Sequence, residues 1–178
     1  VQLAATPLEP PTLLQDVQTI VQPEVDAKQL HFSLDTTAIH RRTVLAGGLR
    51  LQQVLLNILG NSVKFTPNGG KIALQVSEAD GAPAGFADFT FRIQDNGIGM
   101  SREFRSHIFE AFSREDTAAV HGIQGTGLGM AITKHLVDLM GGTITVHSES
   151  GVGTEFLISL RFPIGHDTPT QTPIPTPS

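Results

Sequence analysis

The 178-residue sequence contains no cysteine, which excludes disulfide staples and thiolate metal sites and fits a reducing compartment. It has no dense run of lysine or arginine and carries a formal net charge of -5. Long-range electrostatics therefore give it no pull toward nucleic acid or an anionic lipid surface. No apolar stretch approaches the roughly 20 residues that span a bilayer, and there is no basic-then-apolar leader. These absences set the expectation of a cytoplasmic, soluble domain with no nucleic-acid partner and no direct membrane contact. Because it opens at Val1 rather than Met, the sequence is expected to be an excerpt from a longer chain. What is present is ordinary for a globular core, 39% hydrophobic and 16% charged residues, and suits one domain.

Along the chain, residues 1–10 are expected as a linker, 11–164 as the folded domain and 165–178, rich in Thr and Pro, as a disordered tail. Leu13, Leu14, Val17, Ile20, Val21 and Val25 recur at helical spacing over 11–29, where Pro23 predicts a kink or shift. Two short strands are expected at 31–35 and 43–45. Leu51, Val54, Leu55, Ile58, Leu59 and Val63 then form a wide apolar stripe on a helix over 49–65. Segments 71–78 and 88–94 alternate apolar and polar residues and read as a hairpin. Ser101 is a good N-cap for a short helix through 107, with Glu103 in its first turn. Residues 113–124 have no sustained period and read as a surface loop long enough to move. A helix from 127, ended by Gly141-Gly142, precedes a closing hairpin, 143–147 with 154–162. Helices with mostly hairpin-joined strands indicate an α+β fold, a two-layer sandwich of a mixed, mostly antiparallel sheet packed on helices.

Three local patterns carry chemistry. Asn57, Asn61 and Lys64 stand at i, i+4 and i+7 and so share one helix face, opposite the apolar stripe. An amide oxygen is a hard neutral ligand suited to Mg²⁺, and an ammonium one turn on can meet phosphate oxygens. The same face could equally be solvated surface. Asp95-Asn96-Gly97-Ile98-Gly99-Met100 follows a strand, where glycines permit tight turning and a carboxylate can accept from an exocyclic amine. Alone, this is a common turn. Gly125-Thr126-Gly127-Leu128-Gly129 opens a helix whose first N–H groups and dipole suit a phosphate. Neither glycine loop lies in the parallel strand-helix-strand unit that a dinucleotide fingerprint requires.

In this order the patterns resemble the histidine kinase catalytic domain of the GHKL, or Bergerat-fold, ATP-binding superfamily. Residues 51–66 (LQQVLLNILGNSVKFT) resemble its N box, 95–100 its first glycine box, 108–114 (IFEAFSR) its F box and 125–130 its second glycine box. Residues 148–156 (SESGVGTEF) resemble its closing turn. The resemblance implies Asn61 as the Mg²⁺ ligand, supported by Asn57, with Lys64 on phosphate and Phe65 flanking the nucleotide. It implies Asp95 as acceptor from adenine N6, beside Gly97, with Gly99 giving the base room and Thr154 near the base through water. Arg114 would reach the γ-phosphate, and Gly125, Thr126, Gly127, Leu128 and Gly129 would cradle the phosphates. Phe109 and Phe112 read as anchors packing onto the core.

The implied activity is that of a two-component sensor histidine kinase, binding ATP and Mg²⁺ and transferring γ-phosphate to a histidine on a separate dimerisation domain. A response regulator receiver would act downstream. None of the seven histidines has the acceptor context of that family, and their scatter forms no metal site. His121, within the long loop, is the one placed to reach phosphates. The hydrolase branches of the superfamily carry a Glu general base where Asn57 stands here, and Asn cannot take a proton at neutral pH. A nucleotide-binding module without chemistry is the remaining alternative.

Overall fold

A computed structural model describes residues 6–40, 43–109 and 126–164. The loop expected at 113–124 and the tail expected at 165–178 lie outside the described residues. Strand β1 (Thr6–Leu8) leads into helix α1 (Pro10–Ala27), followed by β2 (His31–Ala38) and β3 (Val44–Ala46). Helix α2 (Gly48–Phe65), the hairpin β4 (Lys71–Ala79) and β5 (Phe86–Asp95), and the short α3 (Arg102–Ser106) come next. The described chain closes with α4 (Thr126–Leu139), β6 (Thr143–Glu149) and β7 (Gly153–Pro163).

Among the described residues, the main sheet has five strands in the order β2-β4-β5-β7-β6. Only the β2–β4 pair is parallel; the other pairings are antiparallel. β3, in the stretch expected as a small strand, does not join this sheet but pairs with β1. Part of the stretch expected as linker is therefore a paired strand, and its Leu8 packs against the core.

Alternation decides which sheet face is covered. β5 buries Ala87, Phe89, Phe91 and Ile93, and β7 buries Phe156, Ile158, Leu160 and Phe162. The rings of Phe89 and Phe162 lie 5.9 Å apart. On the other face Arg161 makes a paired contact with Asp88 at 2.6 and 3.0 Å, an exposed ion pair of little energetic weight.

The helical layer packs on the apolar face. Pro10 and Pro11 suit the first turn of α1 because their missing N–H groups would have had no intrahelical partner. α1 runs as one helix through Pro23 and buries Leu13, Leu14, Val17, Val21 and Val25. It ends where Gln29 takes a φ of 57°. α2 lies between α1 and α4 and buries Leu51, Val54, Leu55, Ile58, Leu59 and Val63. The polar Asn57, Asn61 and Lys64 lie off that buried stripe, half-buried or exposed. Ser101 caps α3 as expected, its hydroxyl accepting from Phe104 N–H at 3.0 Å.

Candidate nucleotide site

The buried row of β5 does not stop with Ile93; the next residue in phase is Asp95, 7% exposed. The row of β7 likewise begins with Thr154, also 7% exposed, ahead of Phe156. Asp95 and Thr154 are direct partners across the two strands. Two neighbouring apolar rows thus end in a carboxylate and a hydroxyl under the helical layer. A buried carboxylate is costly unless it is hydrogen-bonded or has a ligand to meet.

Burial pushes the Asp95 carboxyl above its ordinary value, partly offset by the Gly97 N–H and, more weakly, by the Ser62 hydroxyl and the Thr154 N–H nearby. The Gly97 N–H donates to Asp95 Oδ1 at 2.8 Å. Asp95 and Thr154 border a cleft with Asn61, Ser62 and Phe65 of α2 on one side and Met100, Ile108 and Phe156 on the other. The cleft holds about 10 Å³, close to the room one water needs. The hydroxyls of Ser62 and Thr66 are buried and make no well-formed hydrogen bond.

The turn from Asp95 to Met100 is locked by backbone contacts. Ile98 N–H donates to Phe65 O at 3.1 Å, and Gly151 N–H donates to Ile98 O at 2.7 Å. A Cβ on Gly97 would lie 2.4 Å from Phe65 O, and one on Gly99 only 2.0 Å from Glu149 O. Both glycines are thus demanded by neighbouring backbone, and neither lines the cleft. Gly99 was expected to make room for a base; here it makes room for the β6–β7 turn.

Asn57 does not line this cleft. Its Nδ2 donates to Thr133 Oγ1 of α4 at 3.1 Å, and that hydroxyl donates to Gly129 O at 2.8 Å. Since the Thr133 proton is committed to a carbonyl, the Asn57 amide must present its NH₂ there. Its Oδ1 is then the end that remains for a ligand. Lys64 is exposed in the last turn of α2. Thr126, Gly127, Leu128 and Gly129 form the first turn of α4. Arg114, Gly125, Phe112 and His121 lie outside the described residues. Phe109 packs edge-on to Phe156, with centroids 6.4 Å apart.

Sequence reasoning missed Ser62, Thr133 and Ser148. Thr133 and Ser62 occupy apolar phases of their helices and are 0% and 2% exposed; a hydroxyl at such a phase was the available signal. A wider hollow of about 690 Å³ is lined by Lys71, Gln94, Arg105 and Glu155 and also borders Asp95, Ser148 and Thr154. It gathers no residue of α2.

Residues 47–164 match the family described as histidine kinase-, DNA gyrase B- and HSP90-like ATPase. The chain belongs to this family. As a member, it is 40% identical over 154 residues to sensor protein GacS of Pseudomonas syringae pv. syringae, covering 85% of this chain and 16% of GacS. It is 32% identical over 160 residues to sensory/regulatory protein RpfC of Xanthomonas campestris pv. campestris, covering 90% of this chain and 22% of RpfC. The chain thus spans a quarter or less of these relatives. This ATPase fold also superposes on full-length ShkA, solved with AMPPNP, with a TM-score of 0.77 and 33% identity, over 93% of this chain and 32% of ShkA. The catalytic domain of histidine kinase ThkA shares the fold at a TM-score of 0.69 and 22% identity, over 88% of this chain and 94% of that one. The mixed sheet packed on helices is the architecture of these catalytic domains.

Proposed function

We propose that this chain is the catalytic domain of a two-component sensor histidine kinase, binding Mg·ATP and donating the γ-phosphate to a histidine on a separate dimerisation domain. The observation that carries the reading is the buried Asp95–Thr154 pair at the head of two apolar rows, facing Asn61 and Phe65 across one cleft. An ionised Asp95 accepts from the exocyclic amine of adenine, and the Ser62 hydroxyl, only weakly engaged by Asp95, offers a further polar contact. Because the cleft has room for little more than a water, seating a purine requires the Met100 and Ile108 wall to give.

The phosphates then extend along α2 toward Lys64 and the first turn of α4. The N–H groups of that turn, including those of Thr126, Gly127, Leu128 and Gly129, would meet them, joined by Gly125 and, on γ-phosphate, Arg114. The donor set fits Mg²⁺, which takes oxygen ligands and is commonly held by one or two protein groups plus substrate phosphates. Asn61 Oδ1 would hold it, with Asn57 in support, and the ion when bound would neutralise charge on the phosphate oxygens. Among the described residues no three His, Cys, Asp or Glu side chains converge on a metal site.

Asn57 favours transfer over hydrolysis, since an amide tied to Thr133 cannot deprotonate water. The acceptor histidine and a receiver domain are the partners. Among the described residues no helix is long and apolar enough to cross a membrane, and we assign the domain to the cytoplasm, where ATP is supplied. Mixing the domain with γ-labelled ATP and the dimerisation domain of its own full-length chain tests the reading. Acid-labile, base-stable label on the partner is expected; tight Mg·ATP binding with no transfer would sink the kinase assignment.

A further inference from the structure

Ser148, at the end of β6, touches the first glycine loop and the β6–β7 turn at once. Its Oγ accepts from Met100 N–H at 2.8 Å, lies 3.0 Å from Gly153 O, and lies 2.8 Å from Thr154 Oγ1. It does not line the cleft, whereas Thr154 does.

Counting protons orients this cluster. Gly153 O can only accept, so the single Ser148 proton must go there; spent on Thr154, it would leave two acceptors facing each other at 3.0 Å. Thr154 must therefore donate its own proton to Ser148 Oγ, which then accepts from both Thr154 and Met100. The Thr154 oxygen is left with lone pairs alone for the cleft. Beside it stands the Asp95 carboxylate, also an acceptor when ionised.

We propose that Ser148 is a positioning residue that sets purine specificity by consuming the Thr154 hydroxyl proton, so that the cleft presents two acceptors and no donor at this edge. Adenine offers an amino group at its 6-position, and a 6-oxopurine offers another acceptor. In direct contact the pair of acceptors welcomes the first and repels the second. Asp95 alone would leave a neighbouring hydroxyl free to rotate and rescue the wrong base. Ser148 removes that freedom.

This inference rests on the ATP-binding reading above, and the test separates the two. Affinities for ATP and inosine triphosphate are measured by calorimetry for the wild-type chain and its variants. Ser148→Ala should lower the ATP:ITP preference on the order of tenfold, chiefly by strengthening ITP binding, because Thr154 regains a proton to donate. Ser148→Thr, which keeps the hydroxyl, should restore the wild-type ratio. Equal weakening of both nucleotides by Ser148→Ala would reduce Ser148 to a structural role and overturn the proposal. If that variant does not fold, Thr154→Val decides by sign: loss of an acceptor should improve ITP binding, and a drop in ITP binding would show that Thr154 had been donating. A wild-type chain that binds no ATP overturns the nucleotide reading itself, whatever Ser148 does.

Discussion

The proposed base end and the proposed phosphate end of the site are built differently. At the proposed base end, Asp95, Gly97, Gly99, Ser148, Gly153 and Thr154 come from three strands and the turn after β5, and they are joined by short hydrogen bonds and by backbone in contact with backbone. At the phosphate end, Asn57, Asn61 and Lys64 sit on one helix face, partly or fully exposed. Between α2 and the opening of α4, the described bond is Asn57 to Thr133. Recognition of a flat base rewards a frame fixed beforehand, since every donor and acceptor must be aimed without the ligand's help. Phosphates carry their own charge and metal, so groups at that end can be gathered by the ligand.

The largest effect is expected where the frame is tightest. A Cβ on Gly153 would lie 2.1 Å from Asp95 O, and its φ of 147° disfavours any side chain. Gly153→Ala should cost about 3 kcal/mol or more, from backbone displacement added to conformational strain. Gly151, two residues earlier, has a φ of 83° but open space around it, so Gly151→Ala should cost only about 1 kcal/mol. Urea denaturation of both variants checks this, and equal costs would mean that the turn can give way.

Asp95 tests the same frame from the ligand's side. Asp95→Ala should weaken ATP binding by about 10- to 150-fold, the range of a hydrogen bond to a charged group, measured by titration calorimetry. Asp95→Asn keeps an acceptor for the Gly97 N–H but removes the buried charge. Because the folded pKa of Asp95 is raised by burial above 3.8, its ionisation costs stability at neutral pH, and that cost is relieved as pH falls through the raised value. The asparagine variant should therefore melt higher than wild type at pH 7, with the gap closing on acidification, while losing adenine recognition. Adenosine binding to wild type should fall over the same pH window, above the ordinary carboxylate range. A melting gap that is constant with pH would remove the buried charge from the argument.

The phosphate end should break more gently. Thr133→Val keeps the shape but leaves the Asn57 NH₂ without its acceptor and Gly129 O without its extra donor. An uncompensated amide costs about 1 kcal/mol or more. We expect ATP affinity to fall about 3- to 10-fold on that scale, with adenosine affinity unchanged. A matching loss for adenosine would show that the two ends are one rigid unit.

How legible this was from the amino acids follows the same division. Elements with strong periodicity, α2 and the β4–β5 and β6–β7 hairpins, were legible to within a few residues because one side of each faces a single core. The phase of alternation also carries Asp95 and Thr154 inward, since both continue buried rows. Pairing of β1 with β3 was not legible, because three-residue strands hold no period and their partner is chosen by space left beside the main sheet. Thr133 and Ser148 escaped for another reason. Their importance lies in where one proton goes, which depends on neighbours distant in sequence. Gly99 shows a third limit, since a motif can mark a position whose physical reason, the Glu149 carbonyl, lies in another turn.

The smallest expected change concerns Gly60, in the middle of α2 between Asn57 and Asn61. Glycine in a helix interior costs about 0.5–1 kcal/mol relative to alanine, because the unfolded chain gives up more freedom. Nothing lies within 4 Å of where its Cβ would be, so no packing contact explains the glycine. Gly60→Ala should therefore stabilise the fold by about that amount, read as a higher urea midpoint with unchanged slope. If the phosphate end works by being gathered around its ligand, stiffening α2 between its two asparagines should leave adenosine affinity untouched and slow phosphoryl transfer. If transfer is unaffected and stability rises, Gly60 is simply a weak point in the helix, and the looseness of the phosphate end resides on the α4 side instead.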